Sequence, residues 1–258
     1  MSAQSGNAAI RALIGREPYS DGVQLLAVLL AALAPLAPLH GKTIAVDPGH
    51  NGRNWAHPQE INRLVDAGTL HKACDTTGTS TADGYSEAAY NFDVALRLRA
   101  VLRAAGARVV LTRTSNDGWG PCITTRAAIG NRAHADAAIS IHADGGPSAG
   151  RGFHVISPPS IRGLTDDIAV SSRRLALDVR DAFHAGTGMP YSTYVGRDGL
   201  DVRSDLGGLN LSDVPKVFIE TGNMRNATDA VLLESPAFRE REARALALGL
   251  ARFLAKKR

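Results

Sequence analysis

Cysteine is scarce in this chain of 258 residues: only Cys74 and Cys122 occur, without a CxxC spacing, which argues against a thiolate metal site. Aromatic residues make up 5%, and nowhere do they interleave with a basic stripe of the kind single-strand nucleic-acid binders use. A formal charge of +4 is mild for a nucleic-acid partner; a weak positive balance suits an acidic polymer instead. No apolar run reaches the roughly 20 residues a membrane-spanning helix needs. The longest, VQLLAVLLAALAPLA at 23–37, is interrupted by Gln24 and Pro35, and Pro38 follows it. From Thr43 onward there is no internal repeat and no Pro- or Ser-rich linker to divide the chain. What remains is ordinary globular composition, 44% hydrophobic and 21% charged, in a chain long enough to bury a full core.

Residues 1–40 differ from the rest. A polar stretch with Arg11 and Arg16 leads into an apolar core and then small residues, the outline of a secretory signal. Ala32-Leu33-Ala34 is a candidate cleavage box, followed by Pro35. The expected division is an export segment at 1–40 and a single domain at 41–258, in the periplasm, the cell envelope or outside the cell. In such an oxidising compartment Cys74 and Cys122 read as one disulfide, closing a loop of about 49 residues that contributes about 4 kcal/mol in the chain-entropy model. Two unrelated thiols are the alternative.

Strand and helix signals alternate through the remainder. Apolar runs at 43–46, 108–112, 137–141, 152–157 and 216–219 read as strands, and 86–105, 123–134, 167–185 and 235–255 as helices. Val94, Leu98, Val101 and Ala105 make one stripe of the helix beginning near Ser86, and Gly106 stops it. This pattern predicts an α/β domain with a mostly parallel sheet covered by helices. Two long irregular stretches, 51–85 and 190–214, are expected near the end of the sheet where function resides.

One arrangement recurs. TIAVDPGH at 43–50 and AISIH at 138–142 are strand signals ending in histidine, and VFIE at 217–220 is one ending in glutamate. Ligands bind at the carboxyl ends of parallel strands, so His50, His142 and Glu220 can converge. Glu87, in the first turn of a helix whose N-terminus points the same way, is a fourth member. Two imidazoles and a carboxylate suit zinc, with the second carboxylate left as general base. Each residue alone has a plainer reading: strand-end histidines bond to loops, first-turn acids favour helix dipoles, and Glu220 can pair with an arginine. No HExxH anchors the set, and His57 and His71 in the long loop are rivals for the metal. His134, His154 and His184 read as surface or satisfied positions.

Ordered blocks carry a resemblance. DPGHNG at 47–52, SEAAYNFDVALRLRAVLRAAG at 86–106, VVLTR at 109–113, TTRAAIGNRAHADAAISIHAD at 124–144 and VPKVFIETGNMRN at 214–226 resemble the successive blocks of zinc-dependent N-acetylmuramoyl-L-alanine amidases of the amidase 3 type. The cysteine pair, GTSTADGY at 78–85 and GRDGLDVRSDLGGLNL at 196–211 are similar to the exported single-domain actinobacterial members. The resemblance implies a twisted mixed sheet flanked by helices, of zinc-carboxypeptidase-like architecture, with one zinc ion per chain. It implies His50, Glu87 and His142 as metal ligands and Glu220 as the catalytic carboxylate. Asn51, Asp144 and Asn223 depart from residues common in the family, and these changes touch substrate contacts rather than the metal. The implied activity is hydrolysis of the amide between the muramic acid lactyl group and the stem-peptide L-alanine. The implied partner is peptidoglycan or its fragments, met by a monomer with no separate wall-binding module and no nucleic acid. A related zinc carboxypeptidase and a catalytically silent wall-binding or regulatory protein are the rival readings; the silent one would be expected to lack a ligand or the base.

Overall fold

The computed structural model describes residues 38–255, so the expected export segment lies, through residue 37, outside the described residues. Eight strands are present: β1 (Thr43–Pro48), β2 (Leu64–Asp66), β3 (His71–Ala73), β4 (Arg108–Leu111), β5 (Ala137–Asp144), β6 (His154–Ser157), β7 (Leu200–Val202) and β8 (Lys216–Asn223). Six form one sheet in the order β4-β1-β5-β8-β6-β7, and β2 pairs with β3 in a separate hairpin. β4, β1, β5 and β8 run parallel, whereas β6 runs antiparallel to β8 and carries β7 with it. The expected mixed, mostly parallel sheet in one domain is the architecture found. Sequence reading ended two strands too early: β5 runs on through Asp144 and β8 through Asn223, so His142 and Glu220 lie inside strands.

Among the described residues seven α-helices accompany the sheet, α1 (Pro58–Ile61), α2 (Glu87–Ala104), α3 (Ile123–Arg132), α4 (Ala169–Thr187), α5 (Gly207–Asn210), α6 (Ala227–Glu234) and α7 (Pro236–Ala255), with one 3-10 turn at Asn54–Ala56. Register sorts the strand residues onto two faces, because residues directly opposite one another across a pleated sheet point the same way. On one face Val46, Ile139 and Val217 align, as do Ile141, Ile219 and Val155. These meet Val94 and Leu98 of α2, Leu175 and Phe183 of α4, and Leu246 and Leu250 of α7 in the main core. Asp47, Ser140 and Phe218 align on the other face, one step before His142, Glu220 and His154. Short α5 and α3 pack on that polar-lined face, Gly208 of α5 close against Phe218 and Arg126 of α3 on Asp47. Among the described residues no helix is long and apolar enough to cross a membrane.

One buried acid in the main core is set apart from the site. Glu242 of α7 accepts a hydrogen bond from the Tyr90 hydroxyl at 2.8 Å, and that hydroxyl also meets Thr221 Oγ1 at 2.6 Å. Burial pushes the Glu242 carboxyl from its ordinary 4.5 up to about 8. The folded protein therefore keeps a proton that the unfolded chain releases, and stability is lost as pH rises through this window. Glu242→Gln is expected to flatten the fall in melting temperature between pH 5 and pH 8, measured by thermal denaturation. Parallel profiles for the two proteins would contradict this assignment.

The bridge between Cys74 and Cys122 is formed, with an S–S distance of 2.07 Å across 48 residues of sequence. It ties the loop before α2 to the N-terminus of α3, constraining the unfolded chain by about 4 kcal/mol in the entropy model.

Candidate metal centre

The site is assembled from one strand end, one helix start and one strand interior. After β1 the chain turns through Gly49, and His50 takes a left-handed backbone with φ of 57°. A histidine in that region is uncommon and must be held by its surroundings. Gly49 is required next to it, since any side chain there would collide with the His142 ring. Helix α2 begins at an N-cap, Ser86, whose hydroxyl accepts from the Ala89 amide at 3.3 Å. That start places Glu87 in the first turn, where the amide dipoles favour a carboxylate.

Glu87 Oε1 lies 3.1 Å from His50 Nε2 and 2.9 Å from His142 Nδ1. The three residues offer ligand atoms within 4.8 Å of one another. Donors bound tetrahedrally at zinc distances sit roughly 3.3 Å apart, so the set fits a cation of that size. Outer contacts aim the ligands. His50 Nδ1 is 2.9 Å from the Thr76 carbonyl, which selects the tautomer with its lone pair on Nε2. Glu87 Oε2 accepts from the Thr79 amide at 3.0 Å, and Phe218 stacks on the His142 ring at 5.2 Å. Gly78, at φ of 75°, lets this loop close over the site: a Cβ there would lie 2.7 Å from Glu87 Oε2.

Electrostatics tell the same story. Burial opposes charge on His50, but the Glu87 carboxylate and hydrogen bonds to Asp75 and Glu87 outweigh it and push the imidazole up to about 10. Burial likewise opposes charge on Glu87, and the two histidines overcome it, holding the carboxylate well below its usual range. A cation bound here would displace that proton, since a ligating imidazole must offer its lone pair. Glu220 behaves oppositely: burial, then Glu87 and Asp144, hold its carboxyl well above the usual range, against the pull of His50 and Arg203. It lies beside His142 in register and shares with it a cavity of about 370 Å³ with Asp144 and Arg203 on its wall. A larger hollow of about 580 Å³, lined by Lys42, Asp136 and Arg174, contains none of these residues.

All four residues singled out from strand ends and helix start thus come together, and His57 and His71 do not join them. His57 stacks on Trp119 at 5.5 Å, and His71 opens β3. Sequence reading missed two features. His154, expected at a surface or satisfied position, is buried directly across from Glu220, and its Nδ1 has no partner among the described residues. Glu220 Oε2 is likewise without one.

The second omission is Arg126 of α3. Its guanidinium donates to Asp47 at 2.9 Å, Asp75 at 3.0 Å, and the carbonyls of Pro48 at 2.7 Å and His50 at 2.8 Å. Lys216 Nζ approaches the same Asp47 from the other side at 3.4 Å. Arg113 supports the turn as well, donating to Pro48 and Gly49 carbonyls. Both arginines stand in the VVLTR and TTRAAIGNR blocks; an arginine on a helix of small apolar residues was the available signal.

A family model for N-acetylmuramoyl-L-alanine amidases, Amidase_3, matches residues 44–252. The chain belongs to this family. The amidase is 42% identical to N-acetylmuramoyl-L-alanine amidase Rv3717 of Mycobacterium tuberculosis, over 90% of this chain and 97% of the relative. Among solved structures it is similar to the N-acetylmuramyl-L-alanine amidase Ami1 of Mycobacterium smegmatis, with a TM-score of 0.80 and 41% identity, covering 86% of this chain and 100% of that one. The apo form of Ami1 from Mycobacterium abscessus gives a TM-score of 0.78 at 40% identity, over 84% of this chain and 100% of that one. The relatives of this amidase are peptidoglycan hydrolases, in agreement with the family resemblance of the sequence blocks.

Proposed function

We propose that the amidase hydrolyses the bond between the lactyl carbonyl of N-acetylmuramic acid and the L-alanine nitrogen of the stem peptide, with one zinc ion held by His50, Glu87 and His142. The observation that carries the reading is the convergence of one carboxylate and two imidazoles on a common point, with a buried acid beside them in register. Zinc bound there would polarise the scissile carbonyl and activate the attacking water. Glu220 would take the proton of that water and return it to the leaving alanine nitrogen, so its carboxyl must be able to hold a proton. Its buried, acid-flanked position supports that requirement, and a neighbouring dication would draw its raised pKa back toward neutrality. Thr76 and Thr79 keep the ligands oriented, and the turn held by Arg126 and Arg113 sets the His50 backbone.

Export through the segment at 1–40, delivering a catalytic domain at 41–258 to the cell envelope, belongs to the same proposal. The Cys74–Cys122 bridge supports it, because such bonds persist in oxidising compartments. The decisive assay is digestion of purified sacculi followed by mass spectrometry. Intact stem peptides with a free L-alanine amino terminus are expected, with loss of release on chelation and loss of zinc by elemental analysis in His142→Ala. Release of terminal D-amino acids alone would make it a carboxypeptidase and refute the assignment.

A further inference from the structure

The chain has two tryptophans, and both are exposed, Trp55 by 73% and Trp119 by 42%. Scattered exposed apolar residues need no explanation, but these are not scattered. Of the seven large hydrophobic residues exposed among the described residues, Trp55, Leu64, Leu70 and Trp119 lie in the connections between β1 and α2 and between β4 and α3, Leu64 at the start of the β2–β3 hairpin. The mount beneath the tryptophans is rigid. Asn54, fully buried next to Trp55, donates to the Thr76 carbonyl at 2.7 Å and accepts from the Gly120 amide at 2.8 Å. The Arg53 amide bonds the Gly118 carbonyl at 2.9 Å, and Asn51 Nδ2 bonds the Gly120 carbonyl at 3.0 Å. Residues 51–57 and 116–122 are therefore one laced unit, pinned by the disulfide at Cys122. His57 covers one face of Trp119 and leaves the ring otherwise half open.

Beside Trp119 lies an open hollow of about 590 Å³. Asn51, Arg63, Ser115 and Thr125 line it, and no carboxylate does. None of the three candidate ligands lines the hollow, but Asn51 on its wall directly follows His50 in the chain and is tied by its side chain to the Gly120 carbonyl, so one wall is joined to the turn that presents His50. An aromatic face set among neutral and cationic hydrogen-bonding groups matches a pyranose ring, which offers C–H groups on its faces and hydroxyls at its rim. A bare apolar patch for a protein or lipid partner would lack those polar groups.

We propose that Trp55 and Trp119 form a stacking platform for N-acetylhexosamine rings of the glycan strand, next to the muramyl unit whose amide is cut. The platform rests on the peptidoglycan reading above and places the polymer's sugar side at the 51–57 and 116–122 loops. Because the only tryptophans are here, intrinsic fluorescence reports on it directly. Titrating the intact protein with chitotetraose, which has N-acetylglucosamine rings but no lactyl group and no peptide, is expected to give a saturable shift in emission. Trp119→Ala, followed through Trp55 and by calorimetry, is expected to bind about tenfold more weakly, with an unchanged melting temperature because the ring is exposed. Trp55→Ala, followed through Trp119, is expected to weaken binding in the same direction. No saturable response, or wild-type affinity in both variants, would overturn the platform; so would a response to neutral lipid vesicles with none to the saccharide. Since chitotetraose contains no scissile amide, failure here counts against the platform alone. Failure of the wild type to release stem peptide from sacculi counts against the proposed activity.

Discussion

Replacing Glu220 with alanine is expected to lower amide hydrolysis by about 10²–10⁴-fold, the range typical for loss of a positioned general base, while metal content stays at the wild-type level. The separation follows from geometry. Glu220 is adjacent to His142 in strand register, yet the close set of ligand atoms comprises only His50, Glu87 and His142. Its environment differs as well: Glu87 is held ionised by two imidazoles, whereas Glu220 is held toward its protonated form by burial and by Glu87 and Asp144. Two carboxylates a few side chains apart are thereby held in opposite protonation states, which suits the ligand and proton-carrier roles proposed for them. Glu220→Gln, which keeps the volume and removes only the titratable group, should fall nearly as far as the alanine variant. Initial rates on a soluble muropeptide, with metal measured on the same preparation, check both. A near-native rate would remove Glu220 from the reaction, and loss of metal would make it a ligand instead.

Replacing Arg126 with alanine is expected to cost about 3–5 kcal/mol of folding stability, because one partner of a buried ionic group is removed and the others stay. Asp47 and Asp75 are both buried and both hydrogen-bonded to this guanidinium. Asp47 is held far below the usual carboxylate range: burial works against its charge, and Lys216 and Arg126 prevail. Without Arg126, Asp47 keeps Lys216 at 3.4 Å as its nearest cation, with hydrogen bonds from Thr112 and Ser140, and Asp75 keeps the Thr76 amide at 2.8 Å and the His50 ring at 3.6 Å. A lysine at 126 should recover little, since an ammonium cannot reproduce a planar fork that reaches two carboxylates and the Pro48 and His50 carbonyls together. Urea unfolding at neutral pH measures the loss. Because the His50 carbonyl and Asp75 both depend on Arg126, metal affinity is expected to weaken by about 10–100-fold in chelator competition. A variant as stable and as tightly metallated as the wild type would show that the hub contributes nothing.

Alternation of strand and helix signals made the α/β architecture legible, and the break of apolar runs into DPGH, SIH and FIE marked three of the four central residues. Those signals are local: an apolar strand in a parallel sheet is buried on both faces, and a polar residue at its carboxyl end is conspicuous in one dimension. Glu87 was legible for another local reason, its place in the first turn of the helix beginning near Ser86. The short β7, the β2–β3 hairpin and α6 were not, since three-residue strands and a helix placed against β8 owe their existence to neighbours rather than to periodicity.

By itself, then, the sequence determined the order and type of the long elements and singled out the two histidines and two glutamates that the fold brings together. Tertiary structure alone decided that His57 and His71 stand outside that set, that His154 is buried opposite Glu220, and that Arg126 joins Asp47, Asp75 and the His50 turn. The reason is range. Periodicity and capping act within a few residues, whereas these contacts link positions 51 to 79 apart along the chain, or face one another across strands of opposite direction. Only closure of the sheet and its loops brings such groups into the low-dielectric interior, where a charge must find its partner.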